Sequence, residues 1–169
     1  MLAFILGVVL AIDPAHSSAQ FSVEHVFVEH VTGTVPIVRG SIELPPGSTV
    51  PTNVSAQLDA THLHTDDSDR DAALTGGDWF DTKSYPTWTF QSTNIAPAPG
   101  GFTMTGMLTI HGVAQSETLA VMSLGTAERP HYRATCKIDR HAFGMKIVKL
   151  DPVIGNPVDV TLDITTAIR

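Results

Sequence analysis

Phe21, Val23, His25 and Phe27 alternate with Ser22, Glu24, Val26 and Val28 near the start of the chain. A two-residue period puts one set on each face of a strand, and the first set makes a largely apolar face. The period recurs along most of the sequence. Runs rich in β-branched and aromatic residues, bounded by Gly, Pro, Asn or Asp, predict strands over about 18–28, 32–44, 53–62, 87–95, 102–111, 115–124, 131–140 and 158–168. Val54, Ala56, Leu58 and Ala60 share one face of the third, and Trp88 and Phe90 one face of the fourth. Phe102, Met104, Gly106, Leu108 and Ile110 line up in the fifth, and Val160, Leu162 and Ile164 in the last. Pro45-Pro46-Gly47, the stretch from Pro97 to Gly101, and His111-Gly112 read as turns, because proline fixes φ and glycine permits its positive values. In the second run Gly33 and Gly40 read as bends or bulges, and Pro36 removes a ladder donor.

One long stretch, residues 66–85, interrupts this pattern. Arg70 to Leu74 predicts a helical turn or two, and Gly76-Gly77 supplies the backbone angles of a helix end. Trp79-Phe80 follows, and Tyr85-Pro86 returns the chain to extended geometry. The stretch reads as a lid over one end of a barrel, with a second loop over 141–157 beside it. Most connections are too short for parallel crossovers. The expected fold is therefore all-β: eight antiparallel strands running up and down and closing into an extended β-barrel, with one short helical insertion. Strands of about ten residues at ~3.3 Å each give walls on the order of 33 Å, long enough for an elongated guest.

The barrel domain is expected over residues 12–169, preceded by an apolar segment over 1–11. Leu2 to Ala11 is apolar without a break but too short to cross a bilayer, so no integral membrane segment is expected in the mature domain. The segment is similar to the core of an export signal ending on a small residue, without the usual basic start. It predicts a truncated signal and a periplasmic or secreted protein; a buried first strand and a cytoplasmic protein are the alternative.

Net charge is −7 with 10 Lys and Arg, which excludes the basic patch that a nucleic-acid partner requires. Charged residues make up 16% and hydrophobic residues 43%, so much apolar surface must be buried or must line a cavity. The single cysteine, Cys136, lies within a predicted strand and reads as an inert core thiol. Gly-x-Ser-x-Gly, phosphate-loop, Cys-x-x-Cys and dinucleotide signatures do not occur. No cofactor is expected.

The chain resembles the YceI-like family, a polyisoprenoid-binding, lipocalin-like group. The matching pieces are Ile12-Asp13-Pro14-Ala15-His16-Ser17, Phe21-Ser22-Val23-Glu24-His25, Arg70-Asp71 with Phe80-Asp81, and Tyr85-Pro86-Thr87-Trp88-Thr89-Phe90-Gln91-Ser92. Gly106-Met107-Leu108-Thr109-Ile110-His111-Gly112-Val113 and Ile138-Asp139-Arg140-His141-Ala142-Phe143-Gly144 complete the series. The resemblance implies an eight-stranded lipocalin-like barrel that holds a long-chain amphiphile, such as a polyprenyl lipid, a quinone-like molecule or a fatty amide.

Three functional readings follow. In the first, a non-enzymatic carrier binds and sequesters an isoprenoid or other long-chain lipid without turnover. Its lumen would be lined by Phe21, Val23, His25, Phe27, Leu58, Trp88, Phe90, Phe102, Met104, Leu108 and Phe143. Arg70, Arg140 and Lys146 are head-group candidates, although Arg70-Asp71 and Asp139-Arg140 read first as ion pairs that pin the lid. In the second, His62 and His64, at i and i+2 with Asp66 and Asp67 nearby, begin a metal site or a metal-dependent enzyme. In the third, a filled barrel acts as a stress-linked protein partner, for which a homodimer is one assembly. His111 sits at a turn, where its ring is expected to bond to backbone.

Overall fold

The computed structural model describes residues 6–26, 29–145, 149 and 151–167. Among these, ten strands form one antiparallel sheet. They are β1 (Val8–Ala11), β2 (Ser18–His25), β3 (Glu29–Thr34), β4 (Ile37–Leu44), β5 (Asn53–Asp59), β6 (Thr87–Ala98), β7 (Gly101–Ile110), β8 (Val113–Ser123), β9 (His131–Asp139) and β10 (Ile154–Thr165). The order across the sheet is β1-β4-β5-β6-β7-β8-β9-β10-β2-β3. One α-helix, α1 (Ser68–Thr75), lies in the predicted interruption.

The sheet is curled into a half-barrel and is not the closed eight-stranded barrel that the sequence predicts. Two local causes account for the extra strands. The predicted 32–44 strand breaks at Val35-Pro36, where proline has no N–H to give. Its first part, β3, pairs with β2, and its second part, β4, pairs with β1 and β5. The apolar run at the start then contributes β1, laid antiparallel on β4 from Val8–Leu44 to Ala11–Ser41. The edges β1 and β3 do not pair with each other. Beyond β1, Ile12 bridges Thr166 at the end of β10, and Thr34 at the end of β3 bridges His64.

Curvature comes from irregular register. Shifts fall between Ile37 and Arg39, between Ser92 and Asn94, and between Ile154 and Val158, and each adds local twist. The β7–β8 hairpin closes over His111 and Gly112, both at positive φ (54° and 71°), the geometry whose twist suits two antiparallel strands. Helix α1 ends on Gly76 at φ −72° and ψ 171°, an extended residue and not the left-handed one expected of a glycine stop. Short 3-10 turns after strand ends carry a repeated device that the sequence reading missed. Asp13, Asp59 and Asp139 each accept hydrogen bonds from backbone N–H groups two or three residues on.

Packing is uneven along the half-barrel. At the β1 end, Leu10, Ile12, Ile42, Leu44, Val54, Phe102, Met104, Val121 and Tyr132 form a solid core. Phe102 stacks edge-on to Tyr132 at 5.6 Å between ring centroids. The Tyr132 hydroxyl donates to Thr49 O at 2.9 Å, and burial pushes its pKa up to about 12. Toward α1, a second cluster joins Val35, Ala60, Leu63, Trp88, Ile110, Ile138, Phe143 and Met145, and of these Trp88, Ile110, Ile138 and Met145 border open space.

Candidate ligand chamber

Inward side chains of β2, β6, β7, β9 and β10 meet α1 and the Trp79-Phe80 corner around a cavity of about 290 Å³. Its apolar wall includes Val23, Leu74, Phe80, Met145 and Val158, and Arg70 and Arg140 touch it. A second cavity of about 110 Å³ lies deeper, among Val35, Leu58, Phe90, Leu108, Leu119 and Leu162. Phe21, Trp88, Ile110, Ile138 and Val160 border both, so the two chambers stand in series across a neck of these side chains. Two of the lining rings lie over glycines. A Cβ on Gly33 would come within 2.3 Å of Phe21 Cζ, and one on Gly106 within 2.3 Å of Phe90 Cζ. The missing side chains leave the room that these rings occupy.

Of the predicted lumen residues, the structure brings Phe21, Val23, His25 and Trp88 to the upper chamber, and Leu58, Phe90 and Leu108, again with Phe21 and Trp88, to the deeper one. Phe102 and Met104 sit in the solid end instead, and Phe143 is fully buried beneath the 140–143 turn. These three face inward as their strand or loop requires, but alternation fixes a face and not a depth along the barrel. Phe27 and Lys146 lie outside the described residues. His25 is half-buried at the mouth, 4.0 Å from Glu29.

The arginines do not form the predicted Arg70-Asp71 pair. Asp71 accepts from the Thr65 N–H and hydroxyl at 2.8 and 2.5 Å, while Arg70 donates to the same hydroxyl and to Thr65 O, both at 2.9 Å. Both side chains therefore clamp α1 to Thr65. Arg140 is only 3% exposed and gives Nε to Gly155 O (2.9 Å), Nη1 to Met145 O (2.6 Å) and Nη2 to Ile154 O (2.9 Å). That makes it a brace for the loop above the chamber more than a free head-group donor. Asp139 caps the following turn.

His62 and His64 do not converge. His62 is held by Asp59 at 2.6 Å, whereas His64 lies between Asp71 at 3.0 Å and Asp66 at 2.8 Å. The 60–62 turn ends the strand before the pair can share a face. Hydrogen bonds to Asp71 and then Asp66 raise the His64 pKa, and the bond from Thr65, followed by that from His64, holds the Asp71 carboxyl below its usual range. Among the described residues no group of three His, Cys, Asp or Glu side chains could hold a metal. His111 meets the Phe143 carbonyl at 3.4 Å and packs against Tyr85 at 5.1 Å, a tie between loops and not within its own turn.

Among the lining residues of the deeper chamber that the predicted set lacks, Glu117 and Cys136 carry titratable side chains. Burial first, then the Glu117 charge, pushes the Cys136 thiol up to about 11, consistent with an inert thiol. Burial and the nearby Asp139 carboxylate raise the pKa of Glu117. Its position was readable, since Val113, Gln115, Glu117, Leu119 and Val121 fall on one face of β8.

A family profile described as a YceI-like domain matches residues 10–166. The chain belongs to the YceI-like family. A UPF0312 protein of Vibrio parahaemolyticus is 28% identical over 157 residues, 89% of this chain and 80% of that protein. Protein YceI of Escherichia coli is 26% identical over 115 residues, 68% of this chain and 60% of that one. Among solved structures, BcnA of Burkholderia cenocepacia superposes with a TM-score of 0.83 at 23% identity, covering 92% of this chain and 99% of that one. A domain from Saccharophagus degradans, described as polyisoprenoid binding and implicated in plant cell wall breakdown, superposes with a TM-score of 0.68 at 15% identity, covering 94% and 98%. These likenesses place the YceI-like fold on nearly all of the described sheet. No described helix is long and apolar enough to cross a membrane.

Proposed function

We propose that this chain binds and sequesters or carries a long-chain amphiphile, an isoprenoid or a similar lipid, inside the half-barrel without chemical turnover. The observation that carries the reading is the pair of apolar chambers in series, roofed by α1 and the Trp79-Phe80 corner. Such a space favours an elongated guest over a compact one. Covering apolar surface contributes about 25 cal/mol per Å², so dispersion and exclusion of water are sufficient for retention. The polyisoprenoid-binding description of the Saccharophagus domain supports the same class of guest. The metal reading has no comparable support, because His62 and His64 are engaged by different carboxylates.

Native mass spectrometry with extraction of the purified protein tests the proposal. An added mass that resolves to a polyprenyl or acyl species is expected. Bare protein from several hosts, together with no uptake of a polyprenyl probe, would overturn it.

A further inference from the structure

The β8–β9 seam is incomplete. The ladder runs only from Ala120–Thr135 to Ser123–Tyr132, so residues 116–119 of β8 and 136–139 of β9 have no partner across it. The unpaired stretch is bounded at its far end by Gln115, whose Nε2 donates to Ala142 O at 2.9 Å. Glu117 lies within this gap and lines the deeper chamber, and it is half-exposed. Its carboxylate has no hydrogen bond or ion pair among the described residues. It is the only charged residue among those lining the deeper chamber, which include no Lys, Arg or His. Asp139, across the seam, adds a second negative charge close enough to act on it.

An apolar space adjoins a half-exposed carboxylate at an unpaired seam, with the Asp139 carboxylate near enough to act on it and no Lys, Arg or His among the lining residues. We propose that the β8–β9 seam is a head-group site for a positively charged amphiphile, in which Glu117 holds the protonated amine of a long-chain amine. The chain then runs from the deeper chamber through the neck at Trp88 and Ile138 to the upper chamber. The site rests on the lumen reading above and adds to it a preference for a cationic head at the seam. A carboxylate or phosphate head at the seam would face Glu117 and Asp139 and would be repelled.

The test measures binding of dodecylamine, dodecanol and dodecanoate at neutral pH, each below its aggregation threshold. Tryptophan emission is the readout, since Trp79 and Trp88 both line the upper chamber. A charge-assisted hydrogen bond predicts that the amine binds about tenfold or more tighter than the alcohol, with the carboxylate weakest. Glu117→Gln should bring amine and alcohol within about threefold of each other while leaving alcohol binding unchanged. If Glu117→Gln does not fold, added salt provides the second measure: it should weaken amine binding to the native chain and leave alcohol binding alone. Equal binding of all three probes, an amine preference that survives in Glu117→Gln, or amine binding insensitive to salt would overturn the seam site and leave the lumen reading standing. If none of the three binds the native chain, the lumen reading fails and the seam site fails with it.

Discussion

Arg140 carries a full charge into a position almost sealed from water, which is costly unless the guanidinium is well bonded. Three carbonyls, of Met145, Ile154 and Gly155, meet it from the loop that passes over the chamber. Arg140→Ala should strand these acceptors and cost about 3 kcal/mol or more, read as a lower urea midpoint. Arg140→Lys should recover little, since a single ammonium cannot replace a planar fork that reaches three separate carbonyls. Equal midpoints for the native chain and Arg140→Ala would show that the brace is not structural. The sequence shows Asp139 and Arg140 side by side and so suggests a pair. It does not show which carbonyls a distant loop will leave without partners, and that need decides where the guanidinium goes. Glu117 is the opposite case: the alternation along β8 already put it on an apolar face, and only its charge made it easy to assign to solvent.

At the scale of elements, α1 is held mainly by polar ties. Its faces bury no residue fully, and its start is capped by Asp67, which accepts from the Asp69 and Arg70 N–H groups. The clamp from Asp71 and Arg70 to Thr65, with His64 on Asp71, joins it to the sheet edge near β3. His64 has a raised pKa, so its contribution is complete below the unfolded value of about 6.5 and is lost as pH rises through the folded value. Asp71 has a lowered pKa, so its contribution is present above the unfolded value of about 3.9 and is lost as pH falls through the folded one. The tether should therefore be strongest at about pH 4 to 6.5. Hydrogen-exchange protection of the α1 amides, corrected for intrinsic rates, should fall between pH 5.5 and pH 8, and His64→Gln should flatten that difference. The same fall in His64→Gln would assign the pH response elsewhere. The helix was legible from Arg70 to Leu74, but the tie that positions it was not, because Thr65 is an unremarkable residue until the fold brings it under two charged side chains.

At the scale of the molecule, the sheet is fastened where the start and end of the chain meet. Ile12 N–H donates to Gly40 O, Asp13 N–H to Thr165 O and Ala167 N–H to Ala11 O, at 3.0, 2.8 and 2.9 Å. Removing residues 1–11 would strip β1 from β4, expose Leu44 and Ile42 and discard buried Leu10. The loss of apolar burial and ladder bonds should cost roughly 3 kcal/mol or more, and the bared β4 edge should promote association visible in light scattering. Unchanged stability and a monodisperse truncated chain would show that β1 is dispensable. The period-two runs made the antiparallel sheet legible, and Pro36 marked a weak point in the second strand. The ten-stranded open curl was not legible. Val8–Ala11 has no alternation to mark it as a strand, and pairing across the sheet depends on the distant partner β4. The position of the solid end was hidden too, since nothing in the alternation of Phe102 and Met104 tells how far they lie from the lid.

The neck of Phe21, Trp88, Ile110, Ile138 and Val160 has a consequence for order in time. A linear guest that threads it would have to draw its length back through the neck to reverse end for end. A guest that enters past the lid would then keep its leading end in the deeper chamber until it leaves, and one presented backwards would be corrected by release and recapture. The narrowing between two small rooms would thus act as a one-way record of how the cargo was handed over.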